Sequence, residues 1–88
     1  MLTKTFTIQN PTGLHARPAT LFVQKATSFP CEVNVIKGTK KINGKSIMGL
    51  MTLGAKMGEQ ITLEITGEQE QAEQAMEELG KLLMSVHG

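Results

Sequence analysis

The sequence contains no tryptophan, no tyrosine and a single cysteine, Cys31. A lone cysteine has no partner in the same chain, so an internal disulfide framework is excluded, and we expect a reducing, cytoplasmic setting. Three phenylalanines are the only aromatic residues among 88, which leaves material for one small and mainly aliphatic core. The sequence therefore predicts a single domain over residues 1–88.

Long apolar runs and an excess of one charge are also missing. No run approaches the ~20 apolar residues of a membrane-spanning helix, and the first residues follow a strand pattern rather than the apolar core of a signal peptide. Nine Lys and Arg residues against eight acidic residues give a formal charge of +1. Because this balance provides no general attraction to nucleic acid or to an anionic membrane, we expect neither as a direct partner.

Apolar alternation predicts the strands of the fold. Residues 2–8, 32–37 and 60–66 alternate between apolar and polar side chains, as half-buried strands do. Residues 40–43 are short and rich in lysine, which is typical of an edge strand, and residues 38–39 provide the tight turn before it. We expect these strands to form an antiparallel sheet.

Helical periodicity predicts three helices between and after these strands. The first begins at Ala16 and ends near Ser28, with Pro18 in its first turn, where proline is tolerated. A short helix over residues 47–51 follows Ser46, and a long amphipathic helix follows Gly67. The element order predicts an α+β fold of the split β-α-β kind, with a four-stranded antiparallel sheet and three helices on one face.

The segment from Gly13 to Pro18 places a histidine and an arginine at the predicted start of the first helix. Unpaired amides and the helix dipole make such a start a site for anions, and they favour a neutral, nucleophilic imidazole at His15. Arg17 can bind phosphate oxygens with two N–H groups, and Pro18 fixes the geometry of the turn. The motif therefore predicts that His15 takes up a phosphoryl group.

Other chemistries are weakly supported around this histidine. On base rates a histidine and an arginine at a helix start are plain surface residues, so each feature is weak by itself. Neither Cys31 nor His87 stands in metal-ligand spacing with His15, and no carboxylate lies within ten residues of it. No acid and nucleophile complete a hydrolytic triad. We therefore expect no metal and no cofactor.

Two segments of the chain resemble a known family. Residues 12–19, Thr-Gly-Leu-His-Ala-Arg-Pro-Ala, and residues 45–54, Lys-Ser-Ile-Met-Gly-Leu-Met-Thr-Leu-Gly, resemble the motifs of HPr, the histidine-containing phosphocarrier family of the bacterial phosphoenolpyruvate:sugar phosphotransferase system. The likeness spans the chain, and the second motif is similar to that of low-GC Gram-positive members. The resemblance implies an open-faced sandwich and a carrier that is not itself an enzyme.

The resemblance also implies a phosphoryl relay and its partners. Enzyme I, charged by phosphoenolpyruvate, would phosphorylate His15 on Nδ1, and His15 would pass the group to the IIA domains of sugar permeases. Partners would dock, one after another, on a small apolar patch beside the histidine. We expect a monomer whose patch is formed by Thr20, Leu21, Ile47, Met48 and Met51, although the sequence does not decide which of the residues 47–51 face outward.

Ser46 has two interpretations. Its residue type and position are sufficient for an N-cap of the short helix. The resemblance implies in addition that HPr kinase/phosphorylase phosphorylates it in a regulatory step that uses ATP. By its place in the sequence, Lys45 would lie near such a phosphate. The phosphoserine form would act as corepressor with catabolite control protein A. Both interpretations can hold together, because unpaired amides at a helix start also favour a phosphate.

Three alternatives remain open. The first is a non-catalytic module of the same fold that binds a free anion or a peptide. The second is a nitrogen-regulatory paralogue of HPr, which the Ser46 motif disfavours. The third, a self-contained phosphotransferase, lacks a nucleotide-binding loop and a metal-binding acidic pair. A related branch of catabolite-repression regulators lacks the active histidine, so the presence of His15 favours a carrier.

Overall fold

The computed structural model describes residues 1–14 and 16–85. His15, the predicted phosphoryl acceptor, and His87 lie outside these residues. Seven elements follow one another in the order that the sequence predicts, and their bounds are β1 (Leu2–Thr7), α1 (Ala16–Thr27), β2 (Glu32–Lys37), β3 (Lys40–Asn43), α2 (Ile47–Leu53), β4 (Gln60–Thr66) and α3 (Gln69–Met84).

The four strands form one antiparallel sheet in the order β1-β4-β2-β3. The register places Phe6 opposite Ile61 and Val33 opposite Ile65, so these apolar side chains point to one face. The other face carries polar side chains, among them Thr5 and Thr62, whose hydroxyl oxygens are 2.9 Å apart. One face is therefore available for helices, and the other is open to solvent.

The helices cover the apolar face and close the core. Phe22 of α1, Leu50 of α2 and Leu79 of α3 are each fully buried, and α1 contacts both other helices. Each such side chain contributes about 1.5–3 kcal/mol of stability by leaving water. This arrangement confirms the predicted open-faced sandwich with three helices on one side of the sheet. None of the helices in the described part of the chain is long and apolar enough to cross a membrane.

Strand β1 lies at one edge of the sheet, and Lys4 interrupts its apolar alternation. Lys4 pairs with Leu63 and so occupies the inward-facing phase of the strand, yet it is exposed. Its Nζ lies 5.3 Å from the centroid of the Phe6 ring, a distance at which a cation is attracted to the ring face. The edge thus carries a charge where a central strand would carry an apolar residue.

Gly80 of α3 lies against Phe6 so closely that a methyl group at this position has no room. A Cβ atom there would be 2.7 Å from Cε1 and 2.8 Å from Cζ of the buried Phe6 ring. Alanine is favoured over glycine in a helix by about 1 kcal/mol. Overpacking costs about 1–3 kcal/mol. We expect Gly80→Ala to lower the free energy of unfolding by about 1 kcal/mol in urea titrations, because the overlap outweighs the helix propensity.

The matched background for this test is Phe6→Leu, which removes the ring. In that background Gly80→Ala should raise stability, because only the propensity term remains. A stabilising effect of Gly80→Ala in the wild-type chain would contradict the close contact.

Candidate functional site

The segment that leads to His15 lies at the end of the sheet where β1 ends and β4 begins. We call residues 8–14 the site loop and residues 54–59 the supporting turn. The amide of Ile8 donates to the carbonyl oxygen of Glu59 at 2.9 Å, and the amide of Gly58 donates to the carbonyl oxygen of Ile8 at 2.8 Å. These two bonds extend the pairing of β1 with β4 and hold the start of the site loop against the supporting turn.

Asn10 folds the site loop back on itself. Asn10 is 4 % exposed, and its Oδ1 accepts hydrogen bonds from the amide of Thr12 at 2.9 Å and from the hydroxyl of Thr12 at 2.7 Å. Its carbonyl oxygen accepts from the amide of Gly13 at 2.9 Å. Asparagine favours such turns because its side chain imitates a backbone carbonyl. Asn10 is not among the predicted site residues, although an asparagine at the start of a Pro- and Gly-containing loop is a signal for this turn.

Gly13 and Leu14 bring the site loop against Ala55 of the supporting turn. The amide of Leu14 donates to the carbonyl oxygen of Ala55 at 2.9 Å, and both residues are buried. Gly13 has a φ of +67°, and a Cβ atom on it would overlap the Ala55 carbonyl oxygen and lie 3.0 Å from the Cα of Lys56. This position therefore needs glycine both for its backbone conformation and for its contact.

Helix α1 begins at Ala16, directly after His15 in the chain, as the sequence predicts. Arg17 is exposed in the first turn, and Pro18 is half-buried there, where its missing amide removes no intrahelical hydrogen bond. The first turn contains no acidic residue that would compete with an anion. The two neighbours of His15 in sequence thus belong to a tethered loop and to a helix start.

Ser46 is the N-cap of α2. Its backbone is extended, with φ −116° and ψ 116°, and its Oγ accepts a hydrogen bond from the amide of Gly49 at 3.0 Å. The capping interpretation is therefore confirmed. The Nζ of the adjacent Lys45 donates to the carbonyl oxygen of Phe29 at 2.9 Å. Lys45 thereby ties the start of α2 to the loop after α1.

Helix α2 divides into a buried and an exposed side. Leu50 and Leu53 lie in the core, whereas Met48 is 74 % exposed. Helix α1 contacts α2 and contributes an exposed leucine of its own. The exposed fractions of the predicted docking residues are 39 % for Leu21, 40 % for Ile47 and 42 % for Met51, while Thr20 is half-buried.

A cluster of charged groups braces the supporting turn. The Oε1 of Glu59 accepts a hydrogen bond from the amide of Lys56 at 2.8 Å and lies 3.1 Å from Nζ of Lys37. The same Nζ of Lys37 donates to the carbonyl oxygen of Gly54 at 3.2 Å. The hydrogen bond from the Lys56 amide, followed by that from the Lys37 ammonium, holds the pKa of Glu59 below its usual range. The carboxylate is therefore charged at neutral pH.

The overlap at Gly13 can be separated from the cost of its backbone conformation. Gly38 has a φ of +60° and no atom within 4 Å of a Cβ placed on it, so Gly38→Ala measures the conformational cost, about 1–2 kcal/mol. Gly13→Ala should cost about 1–3 kcal/mol more, because the Ala55 backbone cannot move aside. The measurement is the free energy of unfolding from urea titration of both variants. Equal costs would show that the Gly13 contact is absent.

Comparisons with known proteins find one family whose sequences match nearly the whole chain. A family model described as "PTS HPr component phosphorylation site" matches residues 2–85. The phosphocarrier protein HPr of Lysinibacillus sphaericus is 47 % identical over 83 residues, which cover 94 % of this chain and 92 % of the relative. The match therefore extends over nearly the whole of both chains.

Solved structures show the same fold. The crystal structure of a phosphocarrier protein HPr from Bacillus anthracis str. Ames superposes with a TM-score of 0.88 at 39 % identity and covers 93 % of this chain and 95 % of that one. The crystal structure of the Bacillus subtilis catabolite repression protein Crh, described as a swapped dimer, has a TM-score of 0.73 at 42 % identity and covers 94 % and 93 %. Family model, relatives and fold lead to one conclusion: this chain belongs to the HPr family of phosphocarrier proteins of the phosphotransferase system.

Proposed function

We propose that this protein carries a phosphoryl group on His15, accepts it from phosphorylated enzyme I and delivers it to the IIA domains of sugar permeases. The observation that supports this most directly is the place of His15 in the chain, between the tethered residue Leu14 and the first residue of α1. A side chain at this point has helix-start amides close by in sequence. The Nδ1 nitrogen of His15 is the proposed acceptor.

The chemistry requires little more than positioning and charge stabilisation. In each transfer the bond between phosphorus and the donor breaks while a bond between phosphorus and the acceptor forms, so no cofactor is needed. Arg17 is exposed, so its guanidinium is accessible to the equatorial phosphoryl oxygens. Pro18 fixes the first turn that follows the histidine. A carrier must release its cargo, so modest stabilisation suits it better than an enclosed pocket.

A regulatory module without phosphoryl transfer is the second candidate, and the likeness to Crh favours it. The catabolite-repression branch that resembles HPr lacks the active histidine, whereas this chain has His15. We therefore place the carrier first. A nitrogen-regulatory paralogue is less well supported, because the Lys45–Gly54 segment matches the sugar-system motif.

We also propose a regulatory role for Ser46 and a docking role for the exposed side of α2. HPr kinase/phosphorylase would phosphorylate Ser46, and catabolite control protein A would recognise the product. The half-buried N-cap position supports this, since a phosphate on Oγ lies beside first-turn amides. Enzyme I and the IIA domains would dock on Leu21, Ile47, Met48 and Met51, which are exposed, with the half-buried Thr20 beside them.

We propose that the protein works in the cytoplasm as a monomer. Each transfer partner then meets one copy of the site loop and one exposed side of α2. The swapped dimer described for Crh makes the oligomeric state worth measuring in the same samples, by sedimentation velocity. A stable dimer at micromolar concentration would replace the monomer in this proposal.

The carrier proposal is tested with enzyme I, Mg²⁺ and labelled phosphoenolpyruvate. The protein should acquire phosphate that is labile in acid and stable in base, and His15→Ala should acquire none. Arg17→Ala should keep its fold and slow transfer by about tenfold or more, because a hydrogen bond to a charged group is worth about 1.5–3 kcal/mol. Circular dichroism of each variant verifies the fold.

Two outcomes of this assay count against the proposal. No acid-labile phosphate on the wild-type protein would favour the regulatory module instead. Labelling that persists undiminished in His15→Ala would move the acceptor to another residue.

The Ser46 proposal is tested with the kinase and ATP. The wild-type protein should acquire acid-stable phosphate, and Ser46→Ala should not, because the acceptor hydroxyl is gone. Ser46→Asp keeps an N-cap oxygen and serves as a folded control that also lacks the hydroxyl. Acid-stable phosphate on either variant would place the modification elsewhere.

A further inference from the structure

We infer that Lys37 and Glu59 are positioning residues for phosphoryl transfer: together they hold the supporting turn so that the Ala55 carbonyl fixes the site loop at Leu14. This inference rests on the proposed carrier function for its effect on transfer. The contact between the supporting turn and the site loop can be measured independently of that function.

Lys37 contacts the supporting turn at both of its ends. Its Nζ lies 3.1 Å from Oε1 of Glu59 and 3.2 Å from the carbonyl oxygen of Gly54. Lys37 is the last residue of β2, so its backbone is fixed by the sheet. One ammonium group therefore connects the first and the last residue of the turn to a rigid strand.

Glu59 makes two hydrogen bonds with Lys56 inside the supporting turn. Its Oε1 accepts from the amide of Lys56 at 2.8 Å, and its own amide donates to the carbonyl oxygen of Lys56 at 3.0 Å. Gly58, between them, has a φ of +88°, as a tight turn requires. The depressed pKa of Glu59 agrees with a carboxylate that stays charged while it holds these contacts.

Ala55 is the residue of the supporting turn that contacts the end of the site loop. It lies between Gly54, which Lys37 holds, and Lys56, which Glu59 holds. Its side chain is fully buried, and its carbonyl oxygen accepts from the amide of Leu14, the residue before His15. Because Gly13 packs against the same carbonyl, a displacement of Ala55 also displaces the last residues of the site loop.

The effect on overall stability should be small. Both side chains are partly exposed, at 29 % for Lys37 and 39 % for Glu59, and ion pairs of this kind are screened by solvent. The pair braces a loop and not the core, so loss of the pair should loosen the loop locally without unfolding the protein. Local exchange and transfer rate are therefore better measures of its role than thermal stability.

The test uses two variants that each remove one charge. Glu59→Gln retains an oxygen that can accept from the Lys56 amide, and Lys37→Met retains most of the apolar stem. In both, amide hydrogen exchange of Leu14, followed by NMR, should be about threefold faster or more. The maximal rate of transfer from enzyme I should fall by a similar factor at unchanged KM, because the docking side of α2 is untouched.

Two further variants separate positioning from a general loss of charge. Glu64→Gln removes the 2.9 Å ion pair with Lys41 on the open face of the sheet, and it should change neither exchange nor transfer. Lys37→Arg keeps the positive charge, so its Leu14 exchange and its transfer rate should stay close to those of the wild-type protein. Urea titrations should give similar stabilities for all four variants.

The outcomes distinguish this inference from the proposed function. Unchanged Leu14 exchange in Glu59→Gln and Lys37→Met would overturn it, as would faster exchange with an unchanged transfer rate or an equal effect of Glu64→Gln. If the wild-type protein accepts no phosphate at all, the carrier proposal fails. Leu14 exchange then still decides whether Lys37 and Glu59 hold the site loop.

Discussion

The hydrogen bond between the Leu14 amide and the Ala55 carbonyl joins the two segments on which the candidate site depends. One segment follows an edge strand, and the other connects α2 to a central strand. Neither is part of a helix or of the sheet. The bonds of Ile8 with Gly58 and Glu59 hold the start of the site loop against the supporting turn, and the Leu14 bond holds its end. The Leu14 bond thereby connects the residue before His15 in the chain to the turn that leads into β4.

The one-sided packing of the sheet explains where the proposed docking groups are found. Burial of Phe22, Leu50 and Leu79 uses one side of each helix, and the opposite sides remain in water. Helix α2 is too short to cover all its apolar residues, so Met48 and Met51 stay exposed. Flexible methionine side chains on such a surface suit a protein that meets several partners in turn.

Much of the fold was predictable from periodicity, because the β4 alternation and the α3 repeat follow from the side-chain spacing of a strand and of a helix with one buried face. The Ser46 cap was also predictable, since it spans three residues. The ion pair between Lys37 and Glu59 was not predictable from the sequence. It joins residues far apart in the chain that only the strand order brings together. Likewise, no local pattern separates the crowded Gly13 from the open Gly38.

Lys4 on the edge strand has a bearing on assembly. A charge in the inward phase of an edge strand discourages a second chain from adding alongside, because the new strand would have to bury that ammonium. It gives no protection against exchange of the whole strand between two copies, since an exchanged β1 makes the same pairing with β4 and leaves Lys4 in the same surroundings. Lys4 therefore opposes the addition of a further strand at β1, but it does not oppose the exchange of β1 between two copies of the chain.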